Sequence, residues 1–435
     1  MAVEELRTNA CIVGGGPAGM MLGYLLAREG IDVTVIEKHA DFLRDFRGDT
    51  VHPSTLQVLH ELDLLDDFLK LPHQRVYSAS AVYGGFSVQG PDFRNVPAVC
   101  GFIALMPQWD FLNFLAERAR RFPSFSLHMQ HEAVWLGGNQ ERFTGVMARR
   151  ADDTQVYIHA NLVVACDGRH SITRAAAHLT LHDVGAPIDV LWFRLDRVPG
   201  DPEDVLGNLN YGKALILINR GDYFQAGMII RKGSFEEITG GGIDAFRRSI
   251  VELAPFFSKR VDALKSWDQI KLLTVQIDRL HRWHRPGLLC IGDAAHAMSP
   301  AGGVGINLAI QDAVAAANLL TASLRSGYVP EEALARVQAR REFPARLTQA
   351  AQVQAHKVFE HVFANPGPLE APWQLKLATR IPGIHCALGY AVGIGVRPEH
   401  VRNAKRPPRN SGLVLALGVA AGVAAAFIAL SWRRT

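Results

Sequence analysis

Residues 10–19, Ala-Cys-Ile-Val-Gly-Gly-Gly-Pro-Ala-Gly, decide the fold class. Four apolar residues, enough for a buried strand, lead directly into a glycine cluster, and residues 20–28 then place their leucines on one face of a helix. A second apolar run, residues 31–36, follows that helix. The order of strand, glycine turn, helix and strand predicts the βαβ unit that binds a dinucleotide.

Each small residue of this turn has a predicted task. Gly14 makes the tight turn out of the strand, and Gly16 lets the backbone approach a pyrophosphate without a Cβ in the way. Gly19 lets the helix pack close to the sheet. The helix begins near Pro17 and Ala18, and its first N–H groups and partial positive charge favour phosphates.

The second strand ends in an acidic residue. Glu37 lies 21 residues beyond Gly16, where a carboxylate accepts hydrogen bonds from ribose hydroxyls. We include the adjacent Lys38 among the predicted cofactor-binding residues. This unit by itself does not choose between FAD and NAD.

Two later blocks also follow strand-like runs. Residues 162–166 form an apolar run that leads into Asp-Gly-Arg-His-Ser-Ile-Thr-Arg at 167–174, and residues 288–291 lead into Gly-Asp-Ala-Ala-His at 292–296. In this order and spacing, the three blocks resemble the GxGxxG, DG and GD motifs of class A flavoprotein monooxygenases, the para-hydroxybenzoate hydroxylase and phenol hydroxylase family. The resemblance extends from about residue 9 to about residue 401.

The resemblance implies FAD as the cofactor and NADPH or NADH as the co-substrate. It also implies an α/β fold, in which a Rossmann-like FAD-binding domain carries an inserted mixed β-sheet. Asp293 should hold ribityl or ribose hydroxyls, and Asp167 and Arg174 should lie near the pyrophosphate. Residues 46–53 resemble the segment that brings an arginine, here Arg47, to the cofactor, and residues 107–112 resemble the helix start that supplies a glutamine, here Gln108.

The glycine-rich stretch after the third block also has a physical rationale. Backbone N–H groups with little steric bulk follow Pro300, and a helix is predicted to begin near Gly305. Its positive end would stabilise an anionic reduced flavin. The predicted cofactor contacts of this stretch are Pro300, Gly303, Gly305 and Asn307.

Two polar residues near this stretch leave alternatives open. Asp312 is either part of the site or a solvated helix residue. His296 is either a catalytic base or, as we prefer, a motif residue that packs beside the cofactor. No catalytic residue is assigned.

Composition excludes several classes of protein. The chain has 435 residues, of which 48% are hydrophobic and 20% charged, and a net charge of +4 gives no basis for binding nucleic acid. Five separated cysteines without a Cys-x-x-Cys pair do not form a disulfide framework, and Cys11, Cys166 and Cys290 are interpreted as small buried hydrophobes. Neither His128 with His131 nor the pair at 281 and 284 has a cysteine or carboxylate to complete a metal site.

A second nicotinamide-binding domain is not predicted, because the glycines at 240–242 follow no buried strand and are assigned to a loop. The inserted sheet is predicted from strand-like runs at 189–195, 214–219 and 223–231. Five large side chains there are either pocket lining or, as we prefer, sheet core: Trp192, Phe193, Tyr211, Phe224 and Met228. The predicted boundaries are 1–76, 101–179 and 281–402 for the parts of the FAD-binding domain with its C-terminal helices, and 77–100 and 180–280 for the insertion.

An apolar tail ends the sequence. Residues 412–430 are 19 residues without a charge, long enough to cross a bilayer, and a basic, proline-containing linker at 403–411 precedes them. A buried core helix is the alternative. Basic residues on both sides leave the orientation open, but the need for cellular FAD and reductant favours a catalytic domain in the cytoplasm.

The sequence therefore predicts a membrane-held flavin monooxygenase that uses NAD(P)H and O₂ to hydroxylate or epoxidise a small apolar substrate, aromatic or polyketide-like. One alternative is an FAD-dependent reductase or dehydrogenase of a lipid or isoprenoid, similar to geranylgeranyl reductases. Another is a non-catalytic flavin-binding membrane scaffold. The sequence identifies neither the substrate nor the choice between NADH and NADPH, and it leaves a homodimer open.

Overall fold

The computed structural model describes residues 3–43, 50–139, 141–203 and 205–402. Arg47 lies outside the described residues, as do the predicted linker at 403–411 and the predicted membrane helix at 412–430.

The secondary structure alternates strands and helices in the first part of the chain and ends in helices. The helices are α1 Pro17–Arg28, α2 Pro53–Glu61, α3 Leu65–Phe68, α4 Gln108–Ala119, α5 Ile172–Ala176, α6 Phe235–Gly240, α7 Ile243–Leu253, α8 Gly305–Arg325, α9 Glu331–Ala364, α10 Trp373–Ala378 and α11 Ile384–Gly393. The strands are β1 Glu4–Val13, β2 Val33–Glu37, β3 Thr50–Val51, β4 Gln74–Val76, β5 Ser78–Tyr83, β6 Phe86–Asp92, β7 Ile103–Leu105, β8 Phe125–Met129, β9 His131–Gly138, β10 Phe143–Arg150, β11 Gln155–Ala165, β12 Leu181–Asp183, β13 Ile188–Asp196, β14 Val205–Asn210, β15 Lys213–Asn219, β16 Tyr223–Arg231, β17 Lys271–Thr274, β18 Asp278–Leu280, β19 His284–Arg285, β20 Leu288–Cys290 and β21 His296–Ala297.

The main sheet has a parallel centre in the order β20-β11-β1-β2-β8. Ala10 of β1 stands opposite Leu162 of β11 on one side and Val33 of β2 on the other. The apolar runs predicted as strands are buried on both faces, as parallel strands covered by helices require. One face carries a core shared by α1, α4 and α8.

The second sheet has seven strands, in the order β17-β13-β16-β15-β14-β5-β6. Its strands come from two separate stretches of chain, because β5 pairs in parallel with β14, while the other neighbours are antiparallel. Phe193, Phe224 and Met228 belong to a core with Phe246 of α7. Trp192 lies in a different core with Phe363 of α9.

These positions support the interpretation of the large side chains as sheet core, since all four are buried. Tyr211 instead occupies the β14–β15 turn with a φ of 48°. The glycines at 240–242 begin at the last residue of α6 and do not follow a strand.

The last helices cover an edge of the second sheet. A Cβ on Gly389 of α11 would stand 1.8 Å from the carbonyl oxygen of Asp92, and one on Gly84 would stand 1.9 Å from that of Leu369. Residues 365–393 therefore pack directly onto β5 and β6. Because β6 is the last strand of this sheet, they shield its unpaired edge.

Within the described residues, one stretch, Ala301–Arg325, has the length and hydropathy of a membrane span, and 67% of its most apolar window is buried. It contains α8, a core helix of the main domain. All five cysteines are free, and burial raises the pKa of the Cys11 thiol to about 12. In the part of the chain that the structure describes, no group of three or more His, Cys, Asp or Glu side chains is arranged to hold a metal ion.

Candidate functional site

The predicted motifs meet at one edge of the main sheet. β1, β2, β11 and β20 run parallel, so their carboxyl ends lie on the same side. The glycine turn follows β1, Glu37 ends β2, Asp167 follows β11, and Gly292 and Asp293 follow β20. In an open parallel sheet this edge is where ligands bind.

Close backbone contacts hold three motifs together. Gly14 has a φ of 106°, and a Cβ there would stand 2.4 Å from the carbonyl oxygen of Cys166, next to Asp167. A Cβ on Gly19 would stand 2.0 Å from the Gly14 oxygen. A Cβ on Gly292 would meet Ala18 at 3.2 Å. The tasks predicted for Gly14 and Gly19, a tight turn and close packing, are confirmed.

Two helices begin at this edge without a side-chain cap. α1 and α8 have no capping hydrogen bond and no acidic residue in the first turn. A Cβ on Gly16 or on Gly305 would meet nothing within 4 Å, and Pro17 is the first residue of α1. Open space beside uncapped helix N-termini suits anionic groups such as a pyrophosphate or a reduced flavin, so the residues present fit FAD.

Glu37 is the last residue of β2, and its side chain forms a hydrogen bond with the glycine turn. Its Oε2 accepts a hydrogen bond from the Gly15 N–H at 2.9 Å, and its Oε1 accepts one from the His39 N–H at 3.1 Å. The side chain is buried. The carboxylate is thus held rigidly beside the glycine turn, while the adjacent Lys38 is exposed.

Three further side chains at the site are partly exposed. Asp293 accepts a hydrogen bond from Arg169 Nε at 3.1 Å. Gln108 is the first residue of α4, is partly exposed and has no hydrogen-bond partner for its side chain among the described residues. Arg169 belongs to the motif at 167–174, but no sequence pattern predicts a role for it, and its pairing with Asp293 is visible only in the fold.

Asp167 and Arg174 form hydrogen bonds with other residues of the chain. Asp167 accepts hydrogen bonds from Ser171 Oγ and Thr173 Oγ1, both at 2.5 Å, and so holds the start of α5. Arg174 is buried and donates to the carbonyl oxygens of Ala294 and Arg169. These bonds connect the second motif to the third, and the expectation that Arg174 lies near the pyrophosphate stays a prediction.

Asn307 also forms hydrogen bonds within the chain, and its predicted contact with the cofactor stays a prediction. Its Oδ1 accepts hydrogen bonds from the His52 N–H at 3.0 Å and from Thr55 Oγ1 at 2.7 Å. Thr50 Oγ1 donates to the carbonyl oxygen of Gly303 at 2.8 Å. The start of α8 is thereby fixed to residues 50–55, and the buried Asn307 amide serves this junction.

A buried ionic network lies behind the third motif. Asp312 is fully buried and accepts hydrogen bonds from His296 Nε2 at 2.6 Å, Arg341 Nε at 2.9 Å and the Gly292 N–H at 3.0 Å. Burial alone would raise the pKa of Asp312, but the charges of His296 and Arg341 outweigh it and lower that pKa. The solvated alternative for Asp312 is therefore wrong. His296 packs on Trp283 with ring centroids 4.9 Å apart, inside the protein, which disfavours a role as catalytic base.

The loop before α8 is held by residues of α9 that sequence reasoning missed. Gln352 accepts a hydrogen bond from the Ser299 N–H and donates to the oxygens of Ser299 and Ala301. His356 Nε2 lies 2.9 Å from Ser299 Oγ. Pro300 lies between Ser299 and Ala301, in the loop that these hydrogen bonds hold. No local pattern signals these contacts, because more than fifty residues separate the partners.

A comparison with protein families matches residues 7–351 to the FAD binding domain family. The chain belongs to this family. The match includes every predicted cofactor residue, from Gly14 to Asn307. Cofactor and enzyme class are therefore confirmed: the protein is an FAD-dependent oxidoreductase, for which NAD(P)H is the usual co-substrate.

Two relatives of this flavoprotein are named as monooxygenases. It is 31% identical over 340 residues to 6-methylpretetramide 4-monooxygenase of Streptomyces rimosus, covering 78% of this chain and 81% of the relative. It is 25% identical over 336 residues to rifampicin monooxygenase of Streptomyces venezuelae, covering 74% of this chain and 66% of the relative. The predicted membership of the FAD-dependent monooxygenases is confirmed.

Solved structures share the fold. PqsL of Pseudomonas aeruginosa, described as a probable FAD-dependent monooxygenase, has a TM-score of 0.70 at 21% identity, covering 83% of this flavoprotein and 99% of PqsL. OxyS anhydrotetracycline hydroxylase of Streptomyces rimosus has a TM-score of 0.69 at 20% identity, covering 92% of this chain and 79% of OxyS. The predicted α/β FAD-binding fold with mixed sheets is confirmed.

Proposed function

We propose that this FAD-dependent monooxygenase inserts one atom of O₂ into a polycyclic aromatic, polyketide-like substrate at the expense of NAD(P)H. The observation that carries the proposal is the 31% identity, over most of both chains, to an enzyme whose name specifies oxygenation of a pretetramide.

The proposed cofactor contacts lie at the carboxyl edge of the main sheet. The N-terminus of α1, with Gly16 and Pro17, receives the pyrophosphate. Glu37 and Lys38 flank the adenosine ribose. Asp293 accepts hydrogen bonds from cofactor hydroxyls, with Arg169 fixing the orientation of its carboxylate.

Residues on the flavin side complete the site. FAD, when bound, supplies the redox chemistry and the activation of O₂. The N-terminus of α8, with Pro300, Gly303 and Gly305, places its partial positive charge toward the flavin. Gln108 offers an amide from the start of α4, and we include Arg47 from the segment that precedes β3.

The chain is also proposed to be held to a membrane by residues 412–430, with its catalytic domain in the cytoplasm. The support is the uncharged run of 19 residues, its proline-containing basic linker and the basic residues beyond it. Such an anchor would keep the enzyme where apolar substrates partition.

The experiment that tests the proposed activity uses isotopically labelled O₂. The purified chain is supplied with NADPH or NADH and with a panel of polycyclic aromatic compounds, and NAD(P)H oxidation, peroxide release and label in the product are measured. We expect a compound that stimulates NAD(P)H oxidation, suppresses peroxide release and carries one labelled oxygen atom. Substrate reduction without O₂ would establish a reductase instead, and an absence of NAD(P)H oxidation with every compound would leave only flavin binding.

A further inference from the structure

An exposed apolar row lies along α10 and the turn that follows it. Trp373 is 68% exposed, Leu377 is 55% exposed and Ile381 is 47% exposed. Each residue is four positions from the next, so Trp373 and Leu377 share one face of the helix. Ile381 continues the line beyond the end of the helix. We call Trp373, Leu377 and Ile381 the α10 row. Large apolar side chains exposed together mark an interaction surface.

The opposite side of α10 is fixed to the protein. Leu375 packs against the core formed by Tyr83, Val362 and Leu369. Because the helix is anchored through its inner side, the α10 row faces outward without a rearrangement of the domain.

The charged residues between Trp373 and Ile381 have one sign. Lys376 and Arg380 are both exposed beside it. No acidic residue occurs between Glu370 and Glu399, a stretch that also contains Arg397. A tryptophan and aliphatic side chains flanked by lysine and arginine are the composition of helices that lie in the interface of an anionic bilayer.

We propose that α10 lies in the headgroup region of the membrane, with the α10 row in contact with acyl chains and Lys376 and Arg380 at anionic headgroups. The inference rests on the proposed anchor at residues 412–430. A single short helix binds lipid weakly, but a tethered one binds at high effective concentration, so the anchor makes this small surface sufficient.

The distance from the anchor is compatible with this contact. α11 runs from Ile384 to Gly393 over roughly 15 Å, at about 1.5 Å per residue, and Ile381 lies three positions before it. A Cβ on Gly393 would meet Pro53 at 3.2 Å, and α2 then runs about 12 Å to Glu61. Glu61 accepts a hydrogen bond from the Val401 N–H. Residues 403–411 span up to about 30 Å when extended, comparable to this path.

A second copy of the chain fits the α10 row less well than a bilayer does. A stable protein interface buries about 800 Å² on each partner, whereas three side chains on a six-residue helix and the turn after it offer only a fraction of that. The exposed Lys376 and Arg380 would also repel the same residues of a second copy across a symmetric contact.

The test measures the depth of Trp373 in a bilayer. The full chain is reconstituted in vesicles that contain anionic lipid, either with or without brominated acyl chains, which quench tryptophan at short range. Wild type, Trp373→Phe and Trp135→Phe are compared. Trp135 is the matched control, because it is 54% exposed but lies on β9 of the main sheet.

We expect the quenched part of the emission to be clearly smaller in Trp373→Phe than in wild type, and unchanged in Trp135→Phe. Leu377→Ser combined with Ile381→Ser, in a chain that still floats with vesicles, should reduce the quenching of Trp373. Trp432 contributes equally to every variant and therefore cancels.

The outcomes separate this inference from the proposed anchor. A chain that floats with vesicles but shows equal quenching in wild type and Trp373→Phe keeps the anchor and overturns the placement of α10. A chain that does not float overturns both. Equal quenching together with a detergent-soluble dimer that Leu377→Ser dissociates would assign the α10 row to a second copy.

Discussion

At the scale of single residues, burial separates two kinds of aspartate that the sequence presents alike. Asp293 and Asp312 both stand in or near the third motif, yet Asp293 is partly exposed and Asp312 is fully buried. The first has lone pairs available to a ligand, whereas the second is enclosed by His296, Arg341 and a backbone N–H. Only Asp293 is expected to act directly on FAD.

Asp293→Ala should weaken FAD binding by roughly tenfold or more, because a hydrogen bond to a charged carboxylate contributes about 1.5–3 kcal/mol. The fold should survive, since the side chain is not part of a core. Titration of the apoprotein with FAD measures the change. Asp66→Ala, at an exposed position on α3, is the control and should bind FAD as wild type does. Unchanged affinity in Asp293→Ala would remove the residue from the site.

Two buried histidines predict how stability depends on pH. Burial lowers the pKa of His52 and of His356 from 6.5 to about 4, so both are neutral in the native state near pH 7. Between pH 4 and pH 6.5 the unfolded chain therefore binds more protons than the native chain does. Stability is therefore fully present above about pH 6.5 and falls as the pH drops toward 4, by up to roughly 3 kcal/mol for each histidine.

Urea unfolding of the FAD-loaded chain across this pH range measures that slope. His356→Gln should flatten part of it, because glutamine does not titrate and can still bond to Ser299. A slope that is the same in wild type and His356→Gln would mean that the native state does not hold this histidine neutral.

At the scale of elements, the glycines of the first motif separate folding from binding. Gly19 lets α1 contact the turn of its own strand, with no room for a Cβ, whereas Gly16 has ordinary extended backbone at φ −72° and ψ −176° and open space around its Cα. The GxGxxG spacing selects both glycines, but only Gly19 is required for the packing of the protein itself.

Gly19→Ala should therefore fail to fold or lose several kcal/mol of stability, since a Cβ would overlap the Gly14 carbonyl oxygen. Gly16→Ala should keep the wild-type melting temperature without FAD and bind FAD at least tenfold more weakly. Thermal unfolding of the two apoproteins, followed by FAD titration of the folded one, checks both parts. Wild-type FAD affinity in Gly16→Ala would show that the pyrophosphate does not approach this residue.

The buried pair of Asp312 and Arg341 joins α8 to α9. Arg341→Met should cost about 3–5 kcal/mol, because it leaves the Asp312 carboxylate buried with His296 as its remaining ion-pair partner. Adding Asp312→Asn should recover part of the loss. Arg340→Met is the matched control, because Arg340 is partly exposed and should lose about 1 kcal/mol or less. Denaturant unfolding measures all four proteins, and equal losses in Arg340→Met and Arg341→Met would refute a special role for the buried pair.

At the scale of the whole molecule, the catalytic body and the proposed anchor are expected to be separable. The family match ends at residue 351, and the main core closes at Val401. The apolar run at 412–430 gains little free energy in water and much in hydrocarbon, because a helix pairs its own backbone groups.

A chain that ends at Asn403 should be soluble, yellow and active in NAD(P)H oxidation. The full chain should sediment with membranes and resist a high-salt wash, since its attachment is apolar rather than ionic. Fractionation followed by flavin absorbance checks both. Loss of FAD or aggregation of the shortened chain would show that the tail belongs to the core, and a soluble full chain would end the membrane proposal.

Local sequence patterns were sufficient to predict the local structural units of the cofactor site. The strand, glycine turn and helix at 10–28, and the motifs after β11 and β20, are contiguous patterns whose geometry depends on residues a few positions apart. Gly14, Gly19 and the start of α8 could be predicted for this reason. The resemblance carried by those motifs extended the prediction to FAD and to the monooxygenase family.

The hydrogen bonds that polar motif residues form within the chain became visible only in the tertiary structure. Asp167, Arg174 and Asn307 lie in motifs, yet their hydrogen bonds go to the chain itself, and the partners of Asp312 and Ser299 lie on α9, tens of residues away. A buried polar group must find a partner, but its choice depends on which elements pack together. Sequence spacing fixes neighbours along one element, whereas contacts between elements are set only when their apolar faces are buried against each other.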